Sequence, residues 1–349
     1  MTKAHAATQS DVARAAGVSR SLVSLALSGS PKVAADTRER IEDVAASLGY
    51  RVNVSASSLA RKRSNIIGLV LPNLRNAFFE QIAASLGRAA AQRGLTLFVT
   101  VGSDQPEVLH QAVESLLGVR VVGIIFVSPW LTGEDLLAIG EEVPVCVIGR
   151  RSPGGRVDSV RVDEEAAARL VIDHLASRDM RTICYIGPRL TDAASRHDRE
   201  GSLAHAAQAT GLDFEARSCG EDAGPATRAA LRDHSEPLGL VIHNDALAVD
   251  AVPVLRESRR GLGGDVALAS YDNTYLALRE EFSLTSVDQP EERLGECAVN
   301  LVCRRAGLTS DDELQAEAGS GTEARSVVLE PHLVTRASSL GRQNEPKRV

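Results

Sequence analysis

The chain has no apolar stretch approaching the roughly 20 residues that a membrane-spanning helix needs, and no apolar run precedes Asp11. Neither a membrane protein nor a secreted one is expected, and the reading is a cytosolic protein that touches no membrane. Cysteines are few and scattered: five, at 146, 184, 219, 297 and 303, with no CxxC pair and no zinc-ligand spacing. An odd, dispersed set argues against a disulfide framework or a metal site and for reduced thiols. Phosphate-binding P-loops, nucleophile elbows and metalloenzyme helix motifs are missing too. His197-Asp198 and His243-Asn244-Asp245 bring together residue types that hydrolases use. Without a framing motif they read as solvated loop groups, so no catalytic residue, metal ligand or cofactor is expected.

The formal charge of −7 would argue against a nucleic-acid partner if it were spread evenly, but it is not. Residues 1–63 hold ten Lys or Arg against five Asp or Glu, while the remainder holds 29 against 41. A basic head on an acidic body suits a protein whose head meets phosphates while its body stays soluble.

A length of 349 residues implies two or more compact units. The first sixty residues read as helices alone. Ser10 is placed to cap a helix with Val12, Ala13 and Ala16 on one face, and Gly17 to stop it, because glycine accepts the left-handed conformation that ends helices. Ser19 is placed to cap a second helix, running to about Leu27 and stopped by Ser28-Gly29. A third, Ala35 to Leu48, carries Ile41, Val44, Ala45 and Leu48 at helical spacing and ends at Gly49. Helix, tight glycine turn, helix is the helix-turn-helix pattern of DNA-binding heads.

From Ile66 onward short apolar runs alternate with amphipathic stretches. The runs are Ile66–Leu71, Leu95–Val101, Val121–Val127, Val145–Ile148, Thr182–Ile186, Leu238–Ile242, Val266–Ala269 and Leu284–Val287; Phe79–Arg93 and Glu164–Ser177 are among the helical segments between them. This alternation predicts parallel sheets covered by helices, in too many units for one sheet, hence two similar lobes. Residues 307–324 read as a surface loop, and the segment from about Ala337 as a polar, disordered tail.

The stretch Asp11-Val-Ala-Arg-Ala-Ala-Gly-Val-Ser-Arg-Ser-Leu-Val-Ser24, followed by Thr37-Arg-Glu-Arg-Ile41, Leu48-Gly-Tyr50 and Asn53, resembles the head of the lactose-repressor (LacI/GalR) family. The resemblance continues through Ile67-Gly68, Val122-Gly-Ile-Ile125, Asn244-Asp245, Tyr271-Asp-Asn273 and Asp288-Gln289-Pro290, and so covers nearly the whole chain. It implies a sequence-specific transcriptional regulator, most simply a repressor, acting as a homodimer on near-palindromic double-stranded DNA under the control of a small molecule, sugar-like or a polyol. The implied architecture is an all-α helix-turn-helix head at 1–51, a hinge at 52–63, and a periplasmic-binding-protein-like core at 64–337 of two doubly wound parallel-sheet lobes. The chain then crosses between lobes near 161, 289 and 324. One lobe comprises 64–161 and 290–323, the other 162–289 and 324–337, and 338–349 form a tail. No leucine heptads follow residue 330, so a tetramer-forming C-terminal helix is not expected.

In the head, Arg20 and Ser21 open the second helix, where a recognition helix offers base-reading side chains to the major groove. Arginine pairs bidentately with guanine, and the resemblance puts the specificity-setting pair at these positions. Thr8, Ser19, Ser24, Thr37 and Asn53 carry hydroxyl or amide donors suited to phosphate, which fix register without reading sequence. Ser19 serves equally as a plain helix cap, and the two roles are compatible. Residues 52–63 are too short and serine-rich to hold a helix alone. In the family this segment folds on DNA, and Leu59 stands where a leucine wedges between base pairs. The plainer reading of Leu59 is a linker residue, but the neighbouring Arg61-Lys62-Arg63 favour the wedge.

In open parallel sheets ligands bind outside the carboxyl ends of the strands. Those ends carry Asn73, Trp130 and Arg150 in the first lobe and Arg189, Asn244-Asp245, Asp272-Asn273 and Gln289 in the second. Amides and carboxylates suit a polyhydroxylated ligand, with Phe79 or Trp130 against its apolar face; strand-end Asn and Asp also simply start turns. Several positions depart from the family pattern. Leu22 and Leu25 replace Thr and Arg, Ala34 replaces the serine cap of the third helix, and Val52 replaces a proline. Asp198 stands three residues before Gly201, where the family places an effector-clamping arginine. Either Asp198 faces the cleft, favouring a neutral or cationic ligand, or a loop shift brings Arg196 or Arg199 there. A periplasmic-type sugar receptor shares the two-lobed body, but would need a signal peptide and has no use for a basic head.

Overall fold

Helix capping and parallel strand pairing dominate the local structure of the computed structural model, which describes residues 7–27, 30, 32–50, 64–103, 105–189, 194–258, 260–308 and 323–341. The chain divides into two compact units, Met1–Ser64 and Asn65–Val349.

The first unit is helical. Helix α1 (Gln9–Ala16) starts at Thr8, not at Ser10 as the sequence suggests. Thr8 and Asp11 form a reciprocal capping box, which satisfies free amides at both ends of the first turn, a geometry that Ser10 inside the helix cannot offer. Gly17 ends α1 at φ 64°. Helix α2 (Arg20–Leu27) follows, with Ser19 Oγ accepting from Leu22 N at 3.2 Å. Helix α3 (Ala35–Ser47) begins at Ala34 without a side-chain cap. Arg38 reaches back to the Ser30 and Val33 carbonyls and so ties down the approach to that uncapped end. Val12, Val23, Ala26, Ile41 and Ala45 bury together, a core that explains why three short helices hold.

The second unit contains two six-stranded sheets. In the first lobe lie β1 (Ile66–Leu71), α4 (Ala77–Gln92), β2 (Thr96–Val101), α5 (Pro106–Gly118), β3 (Ile124–Val127), α6 (Gly133–Glu142), β4 (Val145–Ile148) and β5 (Asp158–Val162). The second lobe takes α7 (Glu164–Ala176), β6 (Thr182–Pro188), α8 (Ala194–Thr210), β7 (Asp213–Cys219), α9 (Gly224–Asp233), β8 (Leu238–Ile242), α10 (Asp245–Glu257), β9 (Val266–Tyr271), α11 (Tyr275–Leu278) and β10 (Thr285–Asp288). The chain then returns through α12 (Glu291–Arg305) and β11 (Ser326–Leu329) to the first lobe, before β12 (His332–Val334) and α13 (Ala337–Leu340) rejoin the second. The sheet orders are β11-β5-β4-β3-β1-β2 and β12-β10-β9-β8-β6-β7, with only β12 antiparallel among these pairings. Each sheet is covered on both faces by an apolar cluster, which is why its central strands are continuous hydrophobic runs.

Two expectations need correction. The third lobe crossing lies between Leu329 and His332, not at 324, because Ser326–Leu329 pairs in parallel with β5 of the first lobe. The polar tail does not start at 338. Ser338 and Ser339 are fully buried, Ser338 Oγ donates to Leu268 O at 2.7 Å, and Ser339 Oγ bonds Thr285 Oγ1 and His174 Nε2. Serines fit there because each hydroxyl meets a partner, which a composition-based reading does not reveal.

Candidate functional site

On the head, α2 buries Val23 and Ala26 and leaves Arg20, Ser21, Ser24 and Leu25 on an exposed face. Arg20 Nε rests on Gln9 Oε1 at 3.3 Å, a weak exposed bond that leaves most of the guanidinium donors available. Ser19 caps α2 and also lies 2.9 Å from Ser21 Oγ. The Thr8 hydroxyl is engaged by Asp11 Oδ2 at 2.6 Å, so a phosphate contact from Thr8 would have to compete with its cap. Thr37 is half-buried on α3. Asn53 and Leu59 lie outside the described residues.

In the second unit a cavity of about 950 Å³ opens between the carboxyl ends of the two sheets. Chain order reverses beside β1 in one sheet and beside β6 in the other, and the loops diverging at these switch points leave the crevice. Asn73, Trp130, Asn244, Asp272 and Gln289 from the strand ends line it, together with Phe79 and with Asp198, the position singled out by the family resemblance. Arg150 does not: its guanidinium turns to the Leu131 carbonyl, satisfying a loop of its own lobe. Arg189 is exposed and off the lining. Asp245 is buried beneath the floor, accepting from Ser270, Ser286 and Thr274, and Asn273 is held by Asp288 and Arg336.

Glu164, Arg161 and Glu221 line the cleft but escaped the sequence reading. They sit at the ends of β5 and β7, two strands with mixed rather than apolar patterns, Asp158-Ser-Val-Arg-Val162 and Asp213-Phe-Glu-Ala-Arg-Ser-Cys219. Asn76, His243 and Asp250 were missed as well. Asn76 lies in the same β1 loop as Asn73, so the strand-end rule could have found it.

The buried groups divide into committed and available ones. Arg199 reaches the cleft lining beside Asp198 but is committed: it grips Glu164 with Nε at 3.1 Å and Nη2 at 2.8 Å, donates Nη1 to the His243 carbonyl, and stacks 3.8 Å from the Tyr271 ring centroid. Burial opposes its charge, but the Glu164 carboxylate outweighs burial and holds the guanidinium above its ordinary pKa. Arg196 is also buried, spent on Glu200, the Gly187 and Pro188 carbonyls and Ser218, and it is off the cleft lining. Burial, with Arg199 and Arg196 nearby, pushes the His243 imidazole well below its usual range, so it is neutral, with Nδ1 2.7 Å from Tyr185 Oη. Asp198 is only a third exposed and lies 3.6 Å from Arg151. Asp272 is buried on the floor and pushed up to about 7 by desolvation, with Arg199 pulling the other way. Among the described residues no cluster of His, Cys, Asp and Glu could hold a metal ion, and no helix is long and apolar enough to cross a membrane.

Residues 8–53 match the family described as bacterial regulatory proteins, lacI family, and residues 172–339 match a periplasmic binding protein-like domain. The maltose regulon regulatory protein MalI of Escherichia coli K12 is 30% identical over 312 residues, covering 84% of this chain and 91% of that protein. Catabolite control protein A of Priestia megaterium is 25% identical over 84% of this chain and 91% of its own length. Among solved structures, the lac repressor dimer bound to operator and the anti-inducer ONPF superposes with a TM-score of 0.81 at 26% identity, covering 96% of this chain and all of that one. The complex of the transcriptional regulator CelR with cellobiose gives 0.66 at 27% identity, covering 95% and 99%. With a helix-turn-helix head, a two-lobed core and a match to MalI over 84% of its length, this chain belongs to the LacI family of bacterial transcriptional regulators.

Proposed function

We propose that this protein is a cytoplasmic, non-enzymatic homodimeric repressor that binds a near-palindromic operator through α2. A sugar-like or polyol molecule held between the lobes sets its operator affinity. The observation that carries this reading is the presence, in one chain, of an exposed Arg20-bearing recognition face and a 950 Å³ cleft lined by amides, carboxylates and the aromatics Phe79 and Trp130. Such a cleft suits ligands that offer many hydroxyls and one apolar face. Exposed Leu74, Val99 and Tyr275 around a second, outer groove supply apolar surface that a second copy would cover. Lac repressor binds operator as a dimer and CelR binds cellobiose, which favours the same classes of partner here.

The ligand class follows from which groups remain available. Arg199 and Arg196 are committed to Glu164, Glu200 and backbone carbonyls and Arg75 is paired with Glu221, so Asp198, Asp250 and Asp272 outnumber Arg161, the remaining cation of the described lining. Donor-rich neutral or cationic molecules are favoured over phosphorylated or carboxylated ones, since a carboxylate accepts hydrogen bonds and repels anions. The test is binding of the purified protein to fragments of its own upstream DNA, with and without a panel of neutral saccharides, across a salt series. Specific binding that falls steeply with salt and shifts with one saccharide is expected. Salt-insensitive binding, or none, would overturn the reading.

A further inference from the structure

Asn76 caps α4: its Oδ1 accepts from Phe78 N at 3.0 Å. With the carbonyl end of the planar amide fixed on the helix, Nδ2 points across the cleft and donates to Asp272 Oδ2 of the other lobe at 2.8 Å. The second Asp272 oxygen accepts from Gln289 Nε2 at 2.5 Å, and Gln289 lies beside the second crossing between lobes. Asp272 is itself held at φ 99°, a conformation that L-residues seldom adopt, with its amide bonded to Val287 O at 2.9 Å. The carboxylate is thus aimed by its backbone at a single place on the cleft floor, and the donor standing there comes from the opposite lobe.

A ligand that donates to Asp272 Oδ2 along the lone pair turned toward the first lobe needs the position that Asn76 Nδ2 holds. We infer that Asn76 is a built-in competitor for the effector: its amide fills the donor subsite of Asp272 and clasps the lobes, and a hydroxyl or ammonium of the effector displaces it. The inference rests on the cleft being the effector site. Two ion pairs, Arg75 with Glu221 and Arg151 with Asp198, also span the mouth, but all four side chains are solvated and contribute little. The Asn76–Asp272 bond is part-buried and lands on a buried carboxyl group, and is therefore the one whose loss shifts the lobe equilibrium.

The chain contains one tryptophan, Trp130, and it lines the cleft from the first lobe, so its quenching by acrylamide reads lobe separation directly. Serine at 76 keeps a helix-capping hydroxyl but is too short to reach Asp272. Asn76→Asp keeps both cap and shape and turns the donor into an acceptor facing a carboxylate. In full-length protein without added saccharide, both variants are expected to raise the population of open protein about ten- to a hundred-fold, the worth of one hydrogen bond to a charged group. Trp130 quenching should rise accordingly, with the helical circular dichroism unchanged. For any saccharide of the panel that binds wild type, Asn76→Ser should bind it more tightly, by about tenfold, because the competitor is gone. Unchanged quenching in both variants overturns the clasp. Weaker saccharide binding by Asn76→Ser overturns the competitor and makes Asn76 a ligand contact. If no saccharide binds either protein, the polyol reading fails while the quenching result still decides whether the clasp exists.

Discussion

Glu164→Gln isolates the role of the Arg199 site. Glu164 takes two of the three hydrogen bonds that Arg199 makes to its neighbours, and the two side chains are 16% and 5% exposed. Glutamine keeps one acceptor and the shape but removes the charge, so a buried guanidinium remains against Tyr271 with only the His243 carbonyl and a neutral oxygen. Breaking a buried pair from one side costs about 3–5 kcal/mol. The residual acceptor and the slight exposure of Glu164 put the expectation near the lower end, about 3 kcal/mol. For a unit of this size that lowers the melting temperature by roughly 5 °C. Replacing both partners with apolar residues of similar volume, Glu164→Leu with Arg199→Met, should recover most of that loss, since neither charge is then desolvated alone. Urea titration of wild type, Glu164→Leu, Arg199→Met and the double variant closes the thermodynamic cycle, with Glu164→Gln measured beside it. If Glu164→Gln costs under about 1 kcal/mol, or the double variant is no better than the worse single one, Arg199 is not committed to Glu164. It would then be free to meet an anionic ligand.

Three further expectations follow from the same geometry. Arg20→Ala should cost roughly 1–3 kcal/mol of specific operator affinity and relax one base position per half-site; with Leu25 on the same face, a selected operator that demands guanine opposite Leu25 would contradict the assignment. In calorimetry Asp198→Asn should weaken binding of a neutral or cationic ligand, with Arg196→Ala acting only through stability; tight anion binding lost in Arg196→Ala alone would refute the carboxylate reading. Asp272 is raised from 3.8 to about 7 by burial and by Asp245, against Arg199, with the Asn76 and Gln289 amides donating to it. Between about pH 4 and 7 the folded chain therefore binds a proton that the unfolded chain lacks, and stability relative to Asp272→Asn should rise as pH falls through 7. Affinity for a donor-rich ligand should fall over the same window; a pH-independent stability difference between the two proteins would refute the shift.

The head was legible from its residues because its information is local. Gly17 marks a left-handed turn, Ser19 a cap, and Val12, Val23, Ala26 and Ile41 the buried faces of short helices. Central strands were legible for a similar reason: a strand covered on both faces must be apolar throughout, as in Ile66–Leu71 or Leu238–Ile242. The edge strand β7 and the crossing strands β5, β11 and β12 were not, although the edge strand β2 was. β5 carries Asp158, whose buried carboxylate is neutralised by Arg304 and Arg305 from α12, nearly 150 residues away, and no local pattern announces such a partner. β7 has only one covered neighbour, and β11 joins its sheet after the chain has left the lobe and returned.

The candidate site divides along the same line. Asn73, Trp130, Asn244 and Asp272 could be proposed from strand ends alone, because the carboxyl edge of a parallel sheet is set by topology that the strand-helix alternation already implies. Which titratable groups remain open to the cleft was decided only in three dimensions. Arg199 lies next to Asp198 in sequence and both reach the cavity wall, yet the Arg199 guanidinium is engaged by Glu164 and Tyr271 from other elements while Asp198 meets only the exposed Arg151. Long-range partners consume the charge of Arg199, whereas Asp198 keeps its own largely available. The pairing of Asn76 with Asp272, 196 residues apart, is likewise a product of two lobes meeting.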